Sequence, residues 1–167
     1  MPSRWISAVF AVVIALTPTL LISQPSAAAV KQKTYFTLAA EARSDDACLS
    51  MWETLHVYPR WEGGKEPYVN YYIQSFNFCT GQFDIISGFG TGGSVKIKKL
   101  KSASLHATLP LQYEDGTPAG SITLNVSWTG VGPVEFLTDE VGARRATVEG
   151  LRGSPAGGEI RFSPPFI

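Results

Sequence analysis

Short segments that alternate apolar and polar residues, each closed by glycine or proline, set the terms for this 167-residue chain. A period of two belongs to strands and a period of 3.6 to helices, and no long stretch keeps the helical period. The segments are rich in Val, Ile, Thr, Tyr and Phe, and turn residues recur between them. Ten strands are expected: Thr34–Ala42, Cys48–Tyr58, Val69–Phe78, Gln82–Gly88, Ser94–Lys99, Ala103–Leu111, Ser121–Thr129, Val134–Leu137, Arg145–Leu151 and Glu159–Phe162. The fold class that follows is all-β: an antiparallel β-sandwich, with an open β-barrel as the second solution.

Two strands show the alternation plainly. Ile122, Leu124, Val126 and Trp128 fall on one side of Ser121–Thr129, and Thr123, Asn125, Ser127 and Thr129 on the other. In Ala103–Leu111 the inward set is Ala103, Leu105, Ala107, Leu109 and Leu111. Pro110 lies on the opposite side near the strand end, where an edge strand tolerates a missing donor. Glu114-Asp115-Gly116-Thr117-Pro118 is the turn between them.

The first thirty residues do not fit this pattern. Arg4 is followed by an uncharged, mostly apolar run from Trp5 to Ile22, and then by Ser23-Gln24-Pro25-Ser26-Ala27-Ala28-Ala29. These are the basic, apolar and small-residue regions of a secretory signal, with cleavage expected after Ala29. The expected organisation is a signal peptide over 1–29 and one β domain over 30–167, secreted or periplasmic. No later run is long and apolar enough to span a bilayer as a helix. Loss of Arg4 changes 14 basic and 14 acidic side chains to 13 and 14, so the domain carries almost no net charge. The strong positive excess of a nucleic-acid binder is missing.

Cys48 and Cys79 are the only cysteines, and in an exported chain an even count reads as a disulfide. With two histidines they are too few for a four-ligand zinc site, so neither metal nor cofactor is expected. Pairing Tyr58 with Val69 across antiparallel neighbours sets Cys48 opposite Cys79, at a separation a disulfide can bridge. That register gives one apolar side, Leu49, Met51, Leu55 and Val57 with Tyr72, Phe76 and Phe78, interrupted by Glu53 and Gln74. The reverse side carries Trp52, Thr54, His56 and Tyr58 with Val69, Tyr71, Ile73 and Ser75.

Motifs with a chemical meaning are few. Gly88-Phe-Gly-Thr-Gly-Gly93 spells a dinucleotide fingerprint, but Ser94–Lys99 after it reads as a strand, and the fingerprint needs a helix there. A flexible hairpin loop is expected instead. His56 and His106 each sit on a polar strand side without a nucleophile motif. Lys96, Lys98, Lys99 and Lys101 form a basic run with no acid from Thr91 to Tyr113. Such a run reads first as a lysine-guarded edge strand, and second as a contact for an anionic polysaccharide or lipid surface. Asn125-Val126-Ser127 is a glycosylation sequon placed in mid-strand.

Ten of the 19 aromatic residues fall between Trp52 and Phe89. The core claims several of them. Trp52, His56, Tyr58 and Tyr71 share the reverse side in the register above, and Trp61 stands in the adjoining loop. Flat rings among polar groups suit a carbohydrate or an extracellular protein. The function expected is an exported, non-catalytic binding domain using Trp52, His56, Tyr58, Trp61 and Tyr71. A structural or inhibitory protein acting by protein contacts is the second class and a hydrolase the third.

The stretch Leu100-Lys-Ser-Ala-Ser-Leu-His-Ala-Thr-Leu-Pro-Leu111, with Ile122-Thr-Leu-Asn-Val-Ser-Trp-Thr-Gly-Val-Gly-Pro133 and Arg145-Ala-Thr-Val-Glu-Gly150, resembles a pattern in exported bacterial β-rich proteins with no assigned activity. The resemblance covers roughly the C-terminal half of the mature chain. It implies strand and turn architecture and brings no site residue with it.

Overall fold

A computed structural model describes residues 35–60, 65–138, 141–153 and 156–163, all within the compact unit Gln32–Ile167. The expected signal peptide over 1–29, its expected cleavage point at Ala29, and Trp61 lie outside the described residues. The described chain is antiparallel β throughout: β1 (Tyr35–Asp45), β2 (Leu49–Tyr58), β3 (Tyr68–Asn77), β4 (Gln82–Thr91), β5 (Ser94–Lys98), β6 (Ser102–Tyr113), β7 (Pro118–Gly130), β8 (Glu135–Phe136), β9 (Gly142–Glu149) and β10 (Ala156–Ser163). Each of the ten expected strands is present, with ends moved by up to three residues.

The strands form one sheet in the order β10-β1-β2-β3-β4-β6-β7-β9-β8. β9 also pairs with β10, so the sheet closes on itself through eight strands. Closure is uneven. β6 and β7 pair over eleven residue couples, whereas β4 meets β6 only at Ile86↔Tyr113 and Ser87↔Gln112. The result is a sandwich-like wrap with a weak seam rather than a regular barrel. An eight-strand circuit leaves an interior that side chains can fill. Leu38, Leu55, Val57, Val69, Leu105, Val126, Trp128 and Ile160 fill it, each at most 3% exposed.

Alternation explains β6 and β7 completely. Ala103, Leu105, Ala107, Leu109 and Leu111 are buried, as are Leu124, Val126 and Trp128 on the neighbouring strand. Pro110 falls in the gap between the stretch of β6 that pairs with β5 and the stretch that pairs with β4. That edge is locally open, so no partner there asks for the donor that proline lacks.

The glycine-rich segment is not a hairpin loop. β4 and β5 do not pair with each other; both run antiparallel along the same side of β6. Gly92 and Gly93, with φ of 137° and 80°, are a break in one long bent strand. Gly88 lets β6 cross close above it, since a Cβ there would stand 2.7 Å from Leu111 Cδ2 and 2.9 Å from the Pro110 carbonyl oxygen. No helix follows among the described residues, so the dinucleotide reading ends here.

The disulfide is present, Cys48 to Cys79, with Cα atoms 5.2 Å apart. The register beside it differs from expectation by one residue. Tyr58 pairs with Tyr68, not Val69, and Leu49 with Asn77. Cys48 therefore faces Phe78, whose N–H donates to the Cys48 carbonyl at 2.6 Å. Cys79 reaches the bond from the β3–β4 turn, where the Asn77 side chain accepts from the N–H groups of Cys79 and Thr80, each at 3.0 Å. Disulfides accept a range of Cα separations, so cysteine proximity fixes a register only to within one residue. A slip of one inverts every side chain on the slipped strand.

The inversion has consequences along β3. Val69, Tyr71 and Ile73 point inward, and Tyr72, Gln74 and Phe76 point outward. Tyr71 is thereby corrected from a surface residue to a core residue, 1% exposed. Its hydroxyl donates to Glu53 Oε1 at 2.8 Å. Glu53 is fully buried and also accepts the Arg152 backbone N–H at 2.7 Å on Oε2. The carboxylate that interrupts the apolar side is satisfied inside, where it ties β2 and β3 to the β9–β10 connection.

Candidate functional site

The outer side of β10, β1 and β2 carries a shallow trough. Its floor exists because small residues coincide at neighbouring register positions. Ala39 on β1 lies between His56 on β2 and Glu159 on β10. One outward step along β1, Glu41 lies between Thr54 and Gly157. Ala39 and Gly157 leave low ground between the taller side chains. From the interior, the Trp128 indole N–H donates to the Ala39 carbonyl at 2.9 Å and steadies the floor from beneath.

The trough has two connected parts, of about 560 and 430 Å³, which share Glu41 and Gly157. His56, Arg145, Glu159 and Arg161 rim the larger part. Trp52 and Arg43 rim the smaller. Trp52 is 50% exposed, a large ring offered to solvent beside the low floor. Charges of both signs line the rim. Glu159 is engaged by Arg161 Nε at 2.6 Å, and Arg43 leans to Asp45 at 2.9 Å. The Asp45 carboxyl is held below its ordinary range, foremost by the Ser50 hydroxyl. The Glu41 and His56 side chains have no hydrogen-bond or ion-pair partner among the described residues, so both are available to a ligand.

The expected site residues are thus only partly gathered. Trp52 and His56 stand on one trough. Tyr58 shares their side of β2 but lies further along it, with its ring centroid 6.3 Å from that of Tyr68, and lines a separate hollow with Tyr35, Arg60 and Lys65. Tyr71 is on the other side of the sheet, in the core. His106 is remote from the trough and sits on β6, with Nδ1 2.5 Å from Asn125 Oδ1.

Glu41, Arg145, Glu159 and Arg161 were not expected at a site. Ala156-Gly157-Gly158 was the signal for them: glycine inside strand-forming sequence marks a close approach or an open surface. β10 begins at Ala156, three residues before the expected start, and brings that low ground into the sheet.

Beyond the trough, the same register slip leaves aromatic rings on the outer side of β3 and β4. Phe76 is paired with Phe83, and both are exposed along with Phe78 and Phe89. Phe76 and Phe78 meet edge to face at 5.1 Å. No group of three or more His, Cys, Asp or Glu side chains among the described residues is arranged to hold a metal ion. No described helix is long and apolar enough to cross a membrane. The disulfide is consistent with an oxidising compartment. No family model, curated protein or solved structure matches the chain.

Proposed function

We propose that this chain is an exported, non-catalytic binding domain that holds a carbohydrate in the trough on the outer side of β10, β1 and β2. The observation that carries this reading is the half-exposed Trp52 ring beside a floor made by Ala39 and Gly157. A pyranose presents an apolar face that stacks on an indole and hydroxyls that need planar donors and acceptors around it. Glu41, Arg145, Glu159 and His56 supply such groups along the rim. The trough is open rather than enclosed, which suits a chain ligand that passes through it.

The test is a binding screen of the purified protein against neutral and acidic glycans, repeated with Trp52→Ala. Loss of a stacked, half-exposed indole is worth about 1.4 kcal/mol, or tenfold in affinity. The expected result is a glycan ligand whose affinity falls by at least about tenfold in the variant, with an unchanged melting temperature. A Trp52→Ala protein that binds as tightly as the parent ends the proposal.

A hydrolase is the second reading, and one observation favours it: His56 shares the trough with two carboxylates, Glu41 and Glu159. Turnover of the bound glycan that disappears in His56→Ala would establish it over simple binding.

A further inference from the structure

Near-neutral composition conceals a strongly segregated surface. From Ile85 to Val134 the chain has only two carboxylates, Glu114 and Asp115, and both sit in the β6–β7 turn. The same span carries Lys96, Lys98, Lys99 and Lys101 at the opposite end of β6. A twelve-residue strand is roughly 36 Å long, several screening lengths at physiological salt, so the turn acids do not neutralise the lysines. None of the four lysines has an ion-pair partner among the described residues.

The register places these charges beside an unusual neighbour. Lys96 continues across the sheet as Ser104 and Ser127 and Lys98 as Ser102 and Thr129; the first row ends on β9 at the exposed Glu149, three strands or roughly 14 Å from Lys96, and the second at Thr147. The row beyond is Ser94, His106 and Asn125. The outer side of β5, β6 and β7 is therefore a level field of hydroxyl, amide and imidazole groups with lysines along one margin. Ser94, Lys96, Ser104, His106, Asn125 and Ser127 line a shallow hollow of about 360 Å³ within it. In the eight-strand circuit β6 lies four strands from β1 in either direction, so this field and the trough share the outer side of the sheet at opposite positions around the circuit.

We infer that the outer side of β5, β6 and β7 binds an anionic polysaccharide, with Lys96 and Lys98 holding its carboxylate or sulfate groups and the hydroxyl and amide rows holding its sugar hydroxyls. The chemistry of the field selects this occupant. A lipid surface asks for apolar anchors between the cations, and the outward positions beside Lys96 and Lys98 are Ser94, Ser102 and Ser104. A protein interface draws its affinity from a central aromatic or arginine anchor, also missing. Single-stranded nucleic acid asks for rings to stack its bases, and the only ring is the imidazole of His106. Hydroxyl-bearing polyanions need what is present: fixed positive charge and many small donors and acceptors. The inference stands apart from the trough, since no residue is shared.

The experiment measures binding of the purified protein to alginate and to dextran sulfate, with neutral dextran and with vesicles of phosphatidylcholine and phosphatidylserine as competitors. The double variant Lys96→Glu/Lys98→Glu is compared with the control pair Thr80→Glu/Gln82→Glu, which adds acidic charge at exposed positions of the β3–β4 turn, at the end of β4 away from β5. Binding to at least one polyanion, weakened by about tenfold or more in the double variant and left within about twofold of the parent by the control pair, supports the inference. Salt should weaken it progressively. Equal binding by neutral dextran, an unaffected double variant, or binding to the vesicles alone overturns it. Trp52→Ala should leave this binding unchanged, which separates its failure from failure of the trough.

Discussion

Tyr71→Phe removes one hydroxyl from the interior and nothing else. That hydroxyl donates to a fully buried carboxylate at 2.8 Å, and a buried hydrogen bond to a charged group is worth about 1.5–3 kcal/mol. Glu53 keeps the Arg152 N–H at 2.7 Å and the distant, solvent-screened Arg152 guanidinium at 3.9 Å, so it is not stranded. The loss should therefore fall near 2 kcal/mol rather than the ~3–5 kcal/mol of a broken buried pair. For a domain of this size that is roughly 4 to 8 °C in melting temperature. A second readout comes from pH. Burial first, and then the adjoining Glu53 carboxylate, push the Tyr71 hydroxyl above its ordinary value of 10.0. A raised pKa means that the fold favours the protonated phenol. Its contribution is complete below pH 10 and declines as pH rises beyond, at a rate approaching about 1.4 kcal/mol per pH unit. Urea melts of parent and variant between pH 8 and 11.5 measure both effects. The variant should start less stable and show a shallower alkaline decline. A variant within about 0.5 kcal/mol of the parent, with the same alkaline slope, would refute the assignment of Tyr71 to the core.

Two further outcomes concern the frame that carries the trough. Replacing both Cys48 and Cys79 with Ser removes a cross-link spanning 31 residues, and the chain-entropy model puts the loss at roughly 3.5–4 kcal/mol, read as a lower denaturation midpoint. Gly88→Ala forces a methyl against Leu111 and the Pro110 carbonyl at the two-pair seam, costing about 1–3 kcal/mol, with hydrogen exchange rising first at β4 and β6.

Strand existence, the disulfide partners, and the faces of β6 and β7 were legible in the amino-acid order, because each apolar set there has one parity. In β3 both parities are apolar: Val69, Tyr71 and Ile73 compete with Tyr68, Tyr72 and Phe76. Local pattern leaves such a strand undecided, and cysteine spacing tolerates either choice. The tertiary structure decides it through long-range demands. Glu53 needs a donor inside, and only the register that pairs Tyr58 with Tyr68 turns Tyr71 inward and delivers its hydroxyl there. The close crossing of β6 over Gly88 needs that glycine inward, and Gly88 is the register partner of Tyr71. The trough likewise belongs to assembly: Ala39, His56, Gly157 and Glu159 are meaningless apart and become floor and rim only when β10 closes against β1. Alternation along a strand is a local property carried by the chain itself, whereas which strand lies beside which, and in what register, depends on contacts between residues as far apart in the chain as Tyr35 and Ser163.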